Sequence, residues 1–402
     1  LSIDNVELLS STTTHFIGRN IHWFAGKQIP KEASRLLPLK ITMATIKTQL
    51  QIQRHDLSTD KSLRAHSAAD ELLLKRVGAL ETKPKSLAIY HDRFGYLTCH
   101  LQKLSPVAIL TEKSQEKAIL ANASANDLEG RRFSNPLSPL KKKLDYALIK
   151  APKSLALFQV FLEHIAHNST AKVIVEVAFM TRHFTPKLLS ISNQYFENVE
   201  QSKAEKKART ITLTGKKQVP KQDIIDVINY RNDSYKQYWG VFSAKHIDYA
   251  TQYFLDCFEL TPEDKVILDL ASGNGIIGKE IQRESPDTEI HLLEDSYLAV
   301  ESAKLNIDGP NVHHHYDNDL TNFKNDTFDL IVTNPPFHFE HEINIKIPIY
   351  LFKECFRCLK PGGNLQLVSN SHLNYKTHLT KIFPSVQVLA ENEKFVVYKC
   401  VK

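Results

Sequence analysis

Asn334-Pro335-Pro336-Phe337, with His338 behind it, closes an apolar run that begins at Asp329. These residue types suit transfer of a group to a conjugated amine. An exocyclic amine on an aromatic base is a poor nucleophile because its lone pair is delocalised into the ring. The Asn334 side-chain oxygen and the Pro335 carbonyl can each accept one N–H bond and so hold the lone pair out of the ring plane. Pro335 and Pro336 stiffen the loop, which fixes the acceptors before substrate arrives. Phe337 offers a face on which a base can stack, worth about 1–3 kcal/mol in single-strand recognition. No general base is required before transfer, since the nitrogen attacks while neutral and sheds its proton afterwards.

Upstream, Asp269-Leu270-Ala271-Ser272-Gly273-Asn274-Gly275-Ile276-Ile277-Gly278 follows a strand-like run, and Glu294 ends the next one. The glycine spacing with a trailing acid meets the generic nucleotide fingerprint, so a dinucleotide is one reading. Two features move the reading toward S-adenosylmethionine. Asp269 and Ser272 bracket a strand end where an acid attracts an ammonium and a sulfonium but repels a pyrophosphate. The 334–337 motif follows the fourth strand, at the carboxyl edge where such sheets bind ligands. In that arrangement Gly273 and Gly275 admit the methionine and ribose moieties against backbone. Glu294 takes the ribose hydroxyls and Asp319 the adenine amine, with Asp317 as its competitor. Asp329 reads as a structural strand cap.

The elements that must position these residues recur. Three segments repeat in order at near-constant spacing: Glu112-Lys113-Ser114 with Glu294-Asp295-Ser296, the run from Asp145 to Pro152 with that from Asp329 to Pro336, and Ala204-Glu205 with Ala390-Glu391. Each half alternates strands and helices, the pattern of a mostly parallel α/β sheet. In the second half strands are expected near 266–270, 289–293, 313–316, 328–333 and 364–369, with a closing antiparallel hairpin at 386–390 and 395–400. The reading is two tandem Rossmann-like domains, 43–216 and 217–402, each ending in such a hairpin. The first is degenerate: Tyr90-His91-Asp92-Arg93-Phe94-Gly95 stands where the second half has its glycine loop, and Lys150-Ala151-Pro152-Lys153 where it has Asn334-Pro335-Pro336-Phe337.

With 402 residues, 42% apolar and 24% charged, the chain is globular in composition, and no apolar stretch approaches the roughly 18 residues of a membrane span. Five scattered cysteines describe no disulfide framework and favour a reducing, cytoplasmic setting. Cys355 and Cys358 read as helix residues one turn apart. His313-His314-His315 reads as loop or strand-edge histidines, because adjacent strand residues face opposite ways; no metal is expected. Residues 201–221 hold Lys203, Lys206, Lys207, Arg209, Lys216, Lys217 and Lys221 against the single acid Glu205, so this segment alone matches the net +6 of the whole chain. Either a solvated basic face or a phosphate-tracking surface follows. Residues 1–42 show no periodicity and are expected to lie outside the fold, with Met43 as the natural start.

The strings Asp329-Leu-Ile-Val-Thr-Asn334-Pro335-Pro336-Phe337-His338 and Asp269 to Gly278 resemble the class I rRNA guanine-N2 methyltransferases, whose tandem domains include a degenerate first copy. The resemblance extends from Ser62-Leu63-Arg64-Ala65 to Asn392-Glu393-Lys394-Phe395 and is nearest to the large-subunit members. It implies S-adenosylmethionine as cofactor and a guanine N2 of 23S rRNA, protein-free or in an assembling subunit, as acceptor. Asn334, Pro335 and Phe337 become the substrate-amine site and His338 a base-edge or phosphate contact. Lys206, Lys207 and Arg209 of the first half would grip RNA phosphates. A monomer is expected. Ala271-Ser272 replaces the family's Gly-Cys, and Val241-Phe242-Ser243-Ala244-Lys245 replaces a Phe-Ser-Arg run, with Lys245 standing for the arginine. A 16S rRNA guanine-N2 enzyme, a protein glutamine N5-methyltransferase and a noncatalytic RNA-binding protein are the alternatives.

Overall fold

The repeated α/β pattern is realised twice. The structure, a computed structural model, describes residues 50–57, 63–243, 245–335 and 345–402, and the backbone alone at 338–339 and 342–343. The expected extension, residues 1–42, and Met43 lie outside the described residues.

The first half runs α1 (Ala68–Gly78), β1 (Leu87–Tyr90), α2 (Tyr96–His100), β2 (Val107–Ile109), α3 (Lys113–Ser124), β3 (Arg132–Ser134), β4 (Leu144–Lys150), α4 (Leu155–Asn168), β5 (Ser169–Met180), α5 (Pro186–Tyr195), β6 (Phe196–Gln201) and β7 (Ala208–Lys216). A hairpin follows, β8 (Ile225–Tyr230) and β9 (Asp233–Tyr238). The second half is α6 (Tyr249–Cys257), β10 (Val266–Leu270), α7 (Ile276–Glu284), β11 (Glu289–Glu294), α8 (Tyr297–Asn306), β12 (Val312–Tyr316), β13 (Phe328–Thr333), the two-residue β14 (His338–Phe339) and β15 (Glu342–Ile343), α9 (Lys346–Cys358), β16 (Leu359–Asn370), α10 (Lys376–Leu379), β17 (Ser385–Glu391) and β18 (Phe395–Val401).

The two seven-stranded sheets have one topology, β3-β2-β1-β4-β5-β7-β6 and β12-β11-β10-β13-β16-β18-β17. All pairings are parallel except those of the last two strands. Central strands such as β13 read as continuous apolar runs because helices cover both faces of a parallel sheet. Leu330, Ile331 and Val332 are fully buried, each contributing about 1.5–3 kcal/mol. β16 starts earlier than the 364–369 expected, running through Lys360-Pro361-Gly362-Gly363. Its register with β13 shifts there, and a Cβ on Gly363 would stand 2.8 Å from the Asp329 carbonyl oxygen, so a glycine permits the close approach.

One pair of aspartates shows how literal the repeat is. Asp145 accepts from the amides of Lys85 and Ser86 at 2.8 and 3.0 Å, and Asp329 accepts from those of Lys265 and Val266 at 3.2 and 2.9 Å. Each ties the start of its half's first strand, so Asp329 has a structural duty as expected, but at the first strand rather than as a cap of the fourth. The β8–β9 hairpin was not anticipated. It sits on the second half, where the Tyr238 amide donates to Ser302 Oγ at 2.9 Å and the Tyr235 hydroxyl to Glu280 at 2.7 Å.

Candidate active site

Asn334 follows β13 at the carboxyl edge of the second sheet. Its Nδ2 donates to Asp248 Oδ2 and to Thr251 Oγ1, both at 3.0 Å. Both amide hydrogens are thereby committed, which leaves Oδ1 as the group that can accept from a substrate amine. Asp248 is the N-cap of α6 and also accepts from the amides of Ala250 and Thr251 at 3.1 and 3.2 Å. The helix start and the asparagine are therefore held by one carboxylate. Behind them Thr333 Oγ1 donates to the Leu270 carbonyl at 2.7 Å and locks β13 to β10. Pro335 is buried. Phe337 and the His338 side chain lie outside the described residues.

The glycine loop leaves two buried atoms without a partner among the described residues, Asp269 Oδ1 and Ser272 Oγ. Asp269 Oδ2 accepts from the Gly278 amide at 3.0 Å, and burial pushes its carboxyl up to about 7. Buried polar atoms are seldom left unpaired, so this pair fits a cationic or hydrogen-bonding ligand. A Cβ on Gly273 (φ +56°) would meet nothing within 4 Å, whereas one on Gly275 (φ +81°) would lie 3.0 Å from Ala303 Cβ and from Ile307 Cγ2. Gly273 thus borders open space, and Gly275 lacks a side chain so that α7 can pack on α8. The residues present fit S-adenosylmethionine, with its ammonium and sulfonium, better than a pyrophosphate.

Glu294 bonds back onto the loop, accepting from the Gly273 amide through Oε2 and from the Ser296 amide through Oε1, both at 2.9 Å. Burial pushes its carboxyl up to about 7 as well. Asp319, expected to meet an adenine amine, is paired across the halves: Lys117 of α3 reaches Asp319 Oδ2 at 2.7 Å and Asp317 Oδ1 at 2.5 Å. Burial works to raise the Asp319 carboxyl, but its bonds to Lys117 and Thr321 hold it below the usual range. Nearby, the Ser114 amide and hydroxyl donate to Asp295, each at 2.7 Å, and the Tyr297 amide donates to the Thr111 carbonyl at 2.8 Å. The first half therefore sits against the loops that carry the expected cofactor acids.

The first half keeps this scaffold with other chemistry. Gly95 (φ +79°) matches Gly275, since its Cβ would stand 3.0 Å from Ile119 Cγ1. In the position of Gly273 stands Arg93, over the Phe94 ring at 5.1 Å. Asn334 becomes Lys150, whose Nζ pairs with Asp70 at 2.7 Å, and Asp70 occupies the place of Thr251. An ammonium cannot accept a hydrogen bond, so this edge cannot hold an amine as Asn334 can.

Three supporting residues escaped the sequence reading: Asp248, Thr251 and Gln237. Gln237 is buried on β9, accepts from Asn274 Nδ2 at 2.9 Å and donates to the Phe242 carbonyl at 3.1 Å. A serine, threonine or aspartate just before an apolar helix marks an N-cap, which would have found Asp248; Gln237 had no such signal. Phe242 and Tyr249, 72% and 62% exposed, flank this segment.

The basic segment is less uniform than its composition. Lys206 and Lys207 lie exposed in the β6–β7 turn at positive φ, with Lys206 paired to Glu71 at 2.9 Å; Arg209 is half-buried on β7. Lys216 instead donates to the Ala166 and Ser169 carbonyls at 2.9 and 3.1 Å, closing the end of α4. Lys245 is exposed. Cys355 and Cys358 lie on α9, helix residues as expected, and are buried.

Two family descriptions match the chain, RLMG N-terminal domain over residues 40–217 and methyltransferase small domain over residues 234–399. The ribosomal RNA large subunit methyltransferase G of Klebsiella pneumoniae (strain 342) is 31% identical over 357 residues, 85% of this chain and 93% of that protein. Its namesake from Shewanella loihica is 30% identical over 375 residues, 88% and 93%. Among solved structures, the T. Thermophilus 16S rRNA N2 methyltransferase RsmC in complex with AdoMet and guanosine shares the fold at TM-score 0.71 and 21% identity, over 84% of this chain and 92% of its own.

Proposed function

The chain belongs to the ribosomal RNA large subunit methyltransferase G family, and from that premise we propose that it methylates the exocyclic N2 of a guanine in 23S rRNA. The observation that carries the reading is the Asn334 amide, whose two hydrogens are taken by Asp248 and Thr251. Asn334 Oδ1 and the Pro335 carbonyl accept the two hydrogens of the guanine amine and turn its lone pair from the ring. Prepaid geometry of this kind lowers the barrier without a general base. S-adenosylmethionine, when bound, supplies the electrophilic methyl group. Asp269 and Ser272 offer it their unpartnered oxygens, Gly273 gives it room, and Glu294 and Asp319 lie along the same edge for its ribose and adenine.

In this reading residues 217–402 are the catalytic domain and 43–216 recognise RNA through Lys206, Lys207 and Arg209. Duplex RNA hides its major groove, so loops and splayed bases are the targets, and the guanine leaves its stack to reach Asn334. The substrate is protein-free 23S rRNA or an assembling subunit, inside the cell, and the enzyme works as a monomer. Phe337 stacks on the base and His338 meets its edge or a phosphate.

The test is methyl transfer from labelled S-adenosylmethionine to 23S rRNA, 16S rRNA, assembled subunits and a release factor. Label on 23S rRNA as N2-methylguanine is expected, with Asn334→Ala slower by about 10²-fold or more, the usual cost of losing one preorganised hydrogen-bonding group. Label on 16S rRNA, or on a glutamine of the factor, would move the substrate while leaving the chemistry.

A further inference from the structure

The three histidines set aside in the sequence do not all diverge. Only His314 faces away, its Nε2 3.2 Å from the Ile307 carbonyl oxygen. His313 and His315 are two residues apart on the edge strand β12 and share a face, and His313 is the register partner of His291 on β11. The His291 ring lies between theirs, with centroids at 4.7 and 5.1 Å. Glu289, two residues before His291, places Oε1 at 3.0 Å from His291 Nε2 and 3.4 Å from His313 Nε2. A tetrahedral zinc ion at 2.0–2.2 Å from such donors sets them about 3.3–3.6 Å apart. Glu289 Oε1 is thus already near that separation from both rings, and the donor atoms of all three residues lie within 4.8 Å of one another.

We propose that Glu289, His291 and His313 form a binding site for a divalent transition-metal ion of the zinc type, with His315 orienting His291 from behind. The donor set of two imidazole nitrogens and one carboxylate oxygen is one that zinc takes, and it leaves a fourth position for water. His291 Nδ1 lies 2.9 Å from His315 Nε2; with Nε2 on the metal, Nδ1 carries the proton and donates to His315, which fixes tautomer and ring plane. Phe323 and Phe328 meet the His291 ring edge-on at 5.8 and 5.5 Å and limit its rotation. Glu289 and His313, 47% and 42% exposed at their side chains, leave the site open to solvent. Its β11 residues precede Glu294 by three and five positions, about 10–16 Å along the strand, and the site is separate from the proposed active site. Its occupant would staple the edge strand β12 to β11.

The test uses the full chain, stripped with chelator and titrated with zinc by calorimetry and against a chromophoric chelator, with thermal unfolding followed in parallel. Wild type is expected to take up one zinc equivalent that His313→Ala and Glu289→Gln lose or bind at least about tenfold more weakly. Zinc raises Tm in wild type and not in those variants, while His314→Ala behaves as wild type. Cobalt in place of zinc gives tetrahedral visible bands that vanish in His313→Ala. Equal zinc stoichiometry and affinity in wild type and both variants, or no zinc uptake by wild type, overturns the proposal.

Discussion

Asp269 carries its charge at a cost. It is fully buried, and burial, reinforced by the nearby Glu294 charge and opposed by the Gly278 amide, pushes its pKa up to about 7. An acid whose pKa is higher folded than unfolded stabilises the fold below the unfolded value and loses that contribution as pH rises through the folded one. Without ligand, stability is therefore expected to decline between about pH 4 and pH 7. A bound ammonium or sulfonium favours the carboxylate, so binding releases a proton below the folded pKa. The affinity for S-adenosylmethionine should then fall on going from about pH 8 to about pH 6, with proton release visible in calorimetry across buffers of different ionisation heat. Asp269→Asn should flatten that profile; an unchanged slope would place the titration elsewhere.

At the level of elements, the N-terminus of α6 holds the Asn334 amide, and in the proposed mechanism this is what turns Oδ1 toward substrate. Thr251→Val keeps the shape of a buried side chain and removes one of the two acceptors of the amide hydrogens. One hydrogen bond is worth about 0.5–1.5 kcal/mol, so a fall in kcat of up to about tenfold is expected, with S-adenosylmethionine affinity and Tm close to wild type. A variant that instead lost cofactor binding and kcat together would mark Thr251 as part of the fold only. The first half shows the same joint with its chemistry removed, in the Lys150–Asp70 pair. That joint was half legible. The Asn334-Pro335-Pro336-Phe337 string is local and its chemistry can be read from residue types, but its orienting partners stand more than eighty residues earlier in the chain.

Across the whole molecule, the proposed division of labour has the first half add charge and surface to a catalytic second half. Replacing Lys206, Lys207 and Arg209 by Ala is expected to weaken RNA binding and to lower the slope of log K against log salt by about 0.7–0.9 for each phosphate no longer neutralised, leaving S-adenosylmethionine affinity intact. Because Lys206 must leave Glu71 to meet a phosphate, Lys207→Ala should cost more than Lys206→Ala. RNA affinity unchanged in the triple variant would count against this surface.

The sequence by itself determined the two sheets, their closing hairpins and the loops at their carboxyl edges. Periodicity, glycines and prolines are local signals, and a repeat states them twice: Asp145 and Asp329 stand in matching places and do the same work. It did not distinguish the duties of Gly273 and Gly275, because both need positive φ and only the neighbours Ala303 and Ile307 reveal which one packs. Nor did it show that Lys216 closes a helix while Lys207 faces solvent, since composition counts charges without saying what each lies against. Lys117 against Asp317 and Asp319, and His291 between His313 and His315, exist only once distant strands and helices are brought together. Tertiary structure alone decided these, because their energy comes from distance and burial between residues that the chain order keeps apart.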